Sequence, residues 1–175
     1  MDTKKMMMIS LSIAIVFTQE QLLVFLPNIQ LTVLLIVVFV SVFSFMESII
    51  LITGYVLLDS LYMGGLNPFY LVPMLIAWYL IPISYHTIMR KTTNEVKLSL
   101  FAFVFGFVYG WVFIPFRMIQ TGITELWPYF VLDLPFEIIM ATTGLLTVLW
   151  IYKPLYNRLV EIVNSQNIIA SRMYK

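Results

Sequence analysis

The chain has 175 residues with a formal net charge of +1, is 61% hydrophobic and only 11% charged, and has a mean hydropathy of +0.95, a balance that excludes an ordinary water-solvated domain. It has no cysteine and a single histidine, His86, so disulfides, thiolate metal sites and cysteine nucleophiles are excluded, and too few soft ligands remain for a haem or zinc centre. Its near-neutral charge offers no basic surface to nucleic acid, and without a Gly-rich phosphate loop any ATP used in its work has to be bound by another subunit.

A hydrocarbon core of roughly 30 Å takes about 20 helical residues to cross, and spans are predicted at 6–26, 30–46, 48–63, 69–89, 98–119 and 127–152. The first begins like a signal peptide, but it lacks a small-residue cleavage site and is interrupted by Gln19, Glu20 and Gln21, so it reads as a retained helix. Ser10, Ala14 and Thr18 recur along it every four residues as a groove of small side chains, a surface suited to close contact with a partner helix in lipid. Asn28 and Gln30 follow Pro27, and Asn67 and Tyr70 follow the Gly64-Gly65 turn. All four are placed to close over a bound molecule, and asparagine there also suits turn chemistry. Spans two and three are short, separated by Met46 and Glu47, and are also compatible with a broken hairpin. Trp78 and Trp111 lie deep enough to stack on a flat heteroaromatic ligand, core packing being the commoner role. Trp127 and Trp150 fit an interfacial belt. Gly106 and Gly110 form a GxxxG pair read as internal helix packing.

The expected organisation is all-α: a compact bundle of six transmembrane helices over 1–153, both termini cytoplasmic, and a cytoplasmic tail over 154–175. The tail alternates apolar and polar residues at roughly helical spacing, as for a segment lying on the bilayer or on a partner, though a frayed tail is equally compatible. With an inward N-terminus, Lys4, Lys5, Arg90, Lys91, Lys97, Lys153, Arg158, Arg172 and Lys175 fall on the cytoplasmic side and Arg117 on the other, as the positive-inside rule requires.

The ionisable residues inside the spans collect in the outer half: Glu20, Asp59, Arg117, Asp133 and Glu137. Each costs at least a few kcal/mol in lipid, so they are expected to face the bundle interior, a partner charge or a water-filled cavity open to the outside. Asp133 and Glu137 share a helix face, with Tyr129 one turn further out. Arg117 is the natural partner for one carboxylate, and a cationic or donor-rich ligand satisfies the other. A purely structural ion pair between spans five and six fits the same residues, as does, with less support, an acid/base pair of a membrane enzyme without nucleophile or metal cluster.

On the length, the six spans, the Ser-x-x-x-Ala-x-x-x-Thr face, the stretch Leu26-Pro-Asn-Ile-Gln-Leu31, and Leu132-Asp-Leu-Pro-Phe-Glu137 leading to Lys153-Pro-Leu-Tyr156, the chain resembles the S components of energy-coupling factor (ECF) vitamin transporters. The resemblance covers most of the chain and is one of pattern. It implies a non-enzymatic substrate-binding subunit of the prokaryotic cytoplasmic membrane without a cofactor of its own. It further implies that the first span docks on a transmembrane coupling subunit, with Ser10 and Thr18 standing where the family usually has alanine. Two partner ATPases would drive the cycle, and the subunit would topple to release a vitamin captured at the outer side. The acidic excess among the site residues favours a pyridoxine-type vitamer, thiamine or cobalamin over biotin or pantothenate, while Arg117 leaves room for an anionic group. A small structural or assembly membrane protein without ligand is the alternative from a different class.

Overall fold

The computed structural model describes residues 3–89, 91–122 and 125–173, with side chains described as far as Asn164; Arg90 and Lys175 lie outside the described residues, and Arg172 is described only as backbone. Among the described residues the chain forms six α-helices: α1 (Thr3–Leu22), α2 (Thr32–Val42), α3 (Phe45–Tyr62), α4 (Pro68–Thr87), α5 (Glu95–Thr121) and α6 (Leu126–Met173).

Four of them, α3 to α6, are long and apolar enough to cross a membrane. Of the six expected spans, length and composition single out these four. In α1 the lysines at one end and Gln19-Glu20-Gln21 at the other dilute a helix that is 20 residues long. The 11 residues of α2 reach only about 16 Å at 1.5 Å per residue, half of the hydrocarbon thickness.

The shortness of α2 has a structural reason. Eight of its 11 residues are buried, and it packs against all five other helices. A helix apolar on every side has no face for water and belongs at the centre of a bundle. The surrounding helices carry the opposite pattern: Leu57 and Leu61 of α3, Ile76 and Ile83 of α4, Leu100 and Val104 of α5 and Ile138 and Leu146 of α6 are exposed. So broad an apolar exterior is not sustained in water and matches a lipid-facing surface.

The boundary between α2 and α3 falls at Phe43-Ser44, not at Met46 and Glu47. The Ser44 hydroxyl accepts from the Glu47 amide at 3.4 Å, and the Glu47 carboxylate accepts from the Ser44 amide at 2.9 Å. This capping box starts α3 at Phe45 and places Glu47 in its first turn. At the other margin, α6 does not stop near residue 152 but continues through Pro154 to Met173, 48 residues in all.

The helices alternate in direction, which sorts charge to two ends. The ends of α1 and α3 and the beginnings of α4 and α6 share one end with Arg117. At the opposite end Lys5 pairs with Glu47 at 2.9 Å and Lys153 approaches Glu95 at 4.0 Å, near the start of α5, which carries Lys97. α5 and α6 form the most extensive helix pair, brought close because Gly106 has no side chain: a Cβ there would lie 2.5 Å from the Ala141 Cα. The internal role expected for Gly106 and Gly110 is the one observed.

Candidate functional site

The close α5–α6 contact opens toward the Arg117 end into a cavity of about 350 Å³. Two helical stripes form much of its wall. On α5, Gly106, Gly110, Phe113 and Arg117 follow at steps of four, three and four, with Tyr109 beside Gly110; on α6, Asp133, Glu137 and Met140 follow at steps of four and three, with Phe136 beside Glu137. Asn28 and Tyr70 complete the wall from the α1–α2 connection and from α4. Asn28 adopts φ +59, a conformation asparagine tolerates, and its Nδ2 donates to the Phe136 carbonyl at 3.2 Å. The connection is thereby tied to α6.

The charges in this cavity are unequally satisfied. Arg117 Nη1 donates to Asp133 Oδ2 at 2.6 Å. Glu137, one turn deeper, is 4% exposed, and neither of its carboxylate oxygens has a hydrogen-bond partner. The Trp111 indole is the donor group beside it, and the Asp133 and Arg117 charges lie near. The carboxylate has room because of Gly110, where a Cβ would collide with Glu137 Oε1, Cγ and Cδ. Unpaired, a buried carboxylate of this kind costs several kcal/mol.

A second recess of about 360 Å³ adjoins the first and shares Tyr70, Phe113 and Arg117 with it; Gly65, Asn67 and Gln120 line its far side. Asn67 also caps α4, its side chain accepting from the Phe69 amide at 3.0 Å. Tyr70 also joins the cavity wall to an acid–tyrosine cluster. The Tyr55 hydroxyl donates to Glu20, and the Tyr70 hydroxyl donates to Asp59 at 3.3 Å. Trp78, fully buried, packs among Tyr55, Phe105 and Tyr109 with ring centroids 5.1–5.9 Å apart.

Of the residues singled out by sequence, Asn28, Tyr70, Arg117, Asp133 and Glu137 meet at the cavity and Asn67 at the adjoining recess. Glu20 and Asp59 do not line it; Asp59 is joined to its wall through Tyr70, and Glu20 is held by Tyr55. Trp78 belongs to the aromatic core. Trp111 is exposed on the outer face of α5 against Phe107 and Phe130, and Tyr129 bonds to Thr121 across the helix tips at 2.6 Å. Tyr109, Phe113, Phe136 and Met140 were not singled out, although stepping three and four residues from Gly106 and from Asp133 would have found them. Ser10, Ala14 and Thr18 are exposed along α1.

The acid–tyrosine cluster gives a stability test. Tyr55→Phe removes the donor to Glu20 within a site where Tyr55 is fully buried, and is expected to cost about 1–3 kcal/mol. Tyr79→Phe removes a bond to Thr53, whose hydroxyl keeps its contact with the Ile49 carbonyl, and is expected to cost about 0.5–1.5 kcal/mol. Thermal unfolding in detergent compares the two; an equal loss would deny Glu20 its dependence on Tyr55.

The fold and cavity define an all-helical protein with four helices fit to cross a membrane and a polar recess at one end of the bundle. Comparison of the chain with protein-family models, with curated proteins and with solved structures gives no match in any of the three.

Proposed function

We propose that this chain is the substrate-binding S component of an ECF-type importer in a prokaryotic cytoplasmic membrane, capturing a vitamin or related small molecule. In this reading all six helices belong to the membrane domain, α2 held inside it by its neighbours, and both termini are cytoplasmic. The distribution of Lys4, Lys5, Lys91, Lys97, Lys153 and Arg158 against Arg117 supports that orientation. The cavity then faces outward. The chain performs no chemistry and holds no cofactor; ATP is consumed by two partner ATPases acting through a transmembrane coupling subunit.

The observation that carries the proposal is the buried, unpaired Glu137 carboxylate in the wall of a cavity of about 350 Å³. That volume sits near the lower end of the roughly 300–1,000 Å³ typical of small-molecule sites. It favours a small vitamer of the one-ring pyridoxine or two-ring thiamine kind over the far larger cobalamin. The Arg117–Asp133 pair is also what a ligand-free assembly protein would use to tie α5 to α6, and this observation keeps that second reading in view.

The deciding experiment is purification in mild detergent, release and mass-spectrometric identification of bound small molecules, and a thermal-shift screen against the vitamins. A co-purifying vitamin that also stabilises the protein is expected; neither signal with any vitamin would favour the assembly reading. With that ligand, Asp133→Asn and Glu137→Gln are each expected to weaken binding by about 1–3 kcal/mol, the range for a charge-assisted hydrogen bond. Unchanged titrations by both variants would remove them from the site.

A further inference from the structure

The cavity's charges add up unevenly, and the imbalance sets the chemistry of the occupant. Among the described lining residues Arg117 is the cation, and it is already engaged by Asp133 at 2.6 Å. Glu137 remains without a hydrogen bond on either oxygen, the Trp111 indole being the donor group beside it, and is 4% exposed, seated over Gly110 where a side chain would displace it. Nearby the wall is aromatic: Tyr109 and Phe113 lie with ring centroids 5.1 Å apart, and Tyr70 and Phe113 5.9 Å apart. A carboxylate wanting donors beside π-faces is complementary to one chemical class. A cation with N–H groups hydrogen-bonds the carboxylate, while its charge is attracted to the rings. A neutral alcohol supplies one weaker donor, and an anion is repelled by the unpaired acid.

We infer that Glu137 is the specificity-determining residue of the cavity and that it selects an organic ammonium or protonated N-heterocycle small enough to sit between Tyr109, Phe113 and Met140. This inference rests on the proposed capture function and narrows its substrate to cations. Gly110 is a positioning residue: it contributes no contact of its own and keeps the carboxylate at the cavity wall.

The test uses the full-length protein in detergent and three matched probes at millimolar concentration: benzylammonium, benzyl alcohol and benzoate. Saturation-transfer NMR and thermal shift report binding. Benzylammonium is expected to bind at least about tenfold more tightly than the other two, the factor corresponding to one charge-assisted hydrogen bond. Glu137→Gln should abolish that preference, and Gly110→Ala should reduce it while Glu137 is still present. Equal binding of all three probes, or a preference for the cation that survives Glu137→Gln, would overturn the assignment of Glu137 and leave the capture reading standing. No binding of any probe, together with no vitamin in the screen above, would overturn both. If the probes fail but a neutral or anionic vitamin binds, the cation inference alone falls.

Discussion

Gly106→Ala is expected to lower the stability of the folded bundle by about 1–3 kcal/mol, the usual cost of overpacking a tight core, and Gly106→Leu to prevent recovery of folded protein. The reason is backbone proximity. A Cβ on residue 106 would lie 2.5 Å from the Ala141 Cα and 2.6 Å from its amide nitrogen. Neither atom can turn aside as the end of a flexible side chain would, so α5 and α6 have to separate. Lipid gives helices little hydrophobic reason to associate, and dispersion across a close contact is what such a separation forfeits. The same interface supplies its own control. At Gly144 a Cβ would stand 3.4 Å from the Ala102 carbonyl oxygen and 3.5 Å from its Cβ, ordinary contact distances. Gly144→Ala is therefore expected to be neutral or to stabilise by up to about 1 kcal/mol, because alanine is the better helix former. Thermal denaturation in detergent, followed by loss of monodisperse protein, measures all three. Equal tolerance of alanine at 106 and 144 would show that the α5–α6 contact is looser than the backbone distance requires.

The effect would reach the cavity as well as the bundle. Gly106, Gly110 and Arg117 lie on one stripe of α5 and Asp133, Glu137 and Ala141 on the facing stripe of α6, so spreading the helices at Gly106 shifts Glu137 relative to Arg117. Loss of affinity without complete unfolding is the expected behaviour of the milder variant.

Much of this arrangement was legible from spacing. Helices α4 and α5 stand close to the predicted spans because each is an apolar run opened by an Asn cap, and Asp133 with Glu137 shares a face because four residues make about one turn. The α2–α3 boundary was misplaced even though its signal was present: Ser44 and Glu47 are three residues apart, the spacing of a capping box. Composition could not reveal the role of α2. A run of valine, isoleucine and leucine reads alike whether lipid or protein surrounds it, and only the packing shows that protein does. The helical spacing of the tail beyond residue 152 was legible, but its continuity with the last span was not: α6 runs on through Pro154, a residue that usually interrupts a helix by removing a donor. Trp78 and Trp111 illustrate a further limit. Tryptophan suits a core, a lipid face or a ligand stack equally well, and here one is fully buried and the other is 47% exposed.

Ala14→Leu is expected to leave the isolated subunit intact and yet block its assembly with the proposed coupling subunit. Helix α1 is anchored through Ile9, Ser12 and Val16, which are buried, whereas Ser10, Ala14 and Thr18 are exposed on another face. Ile13 lies close over Gly54 of α3, so the inward side of α1 is already occupied by its own bundle. Ala14 is exposed, and the effect of enlarging it on stability should stay within about 0.5 kcal/mol, as for surface substitutions elsewhere. In the proposed transporter the consequence is different. A groove of small residues allows another helix to approach closely, and a leucine at its centre holds the two backbones apart over several turns, losing dispersion that lipid does not replace. Ligand binding, read in the isolated subunit, should be unchanged because the cavity is formed largely by α5 and α6. Co-expression with the coupling subunit and both ATPases, followed by affinity purification, reads the assembly. Ala14→Gly, which keeps the groove open, should retain the complex that Ala14→Leu loses. Recovery of an intact complex with leucine at this position would move the docking surface to another face of the bundle and detach it from α1.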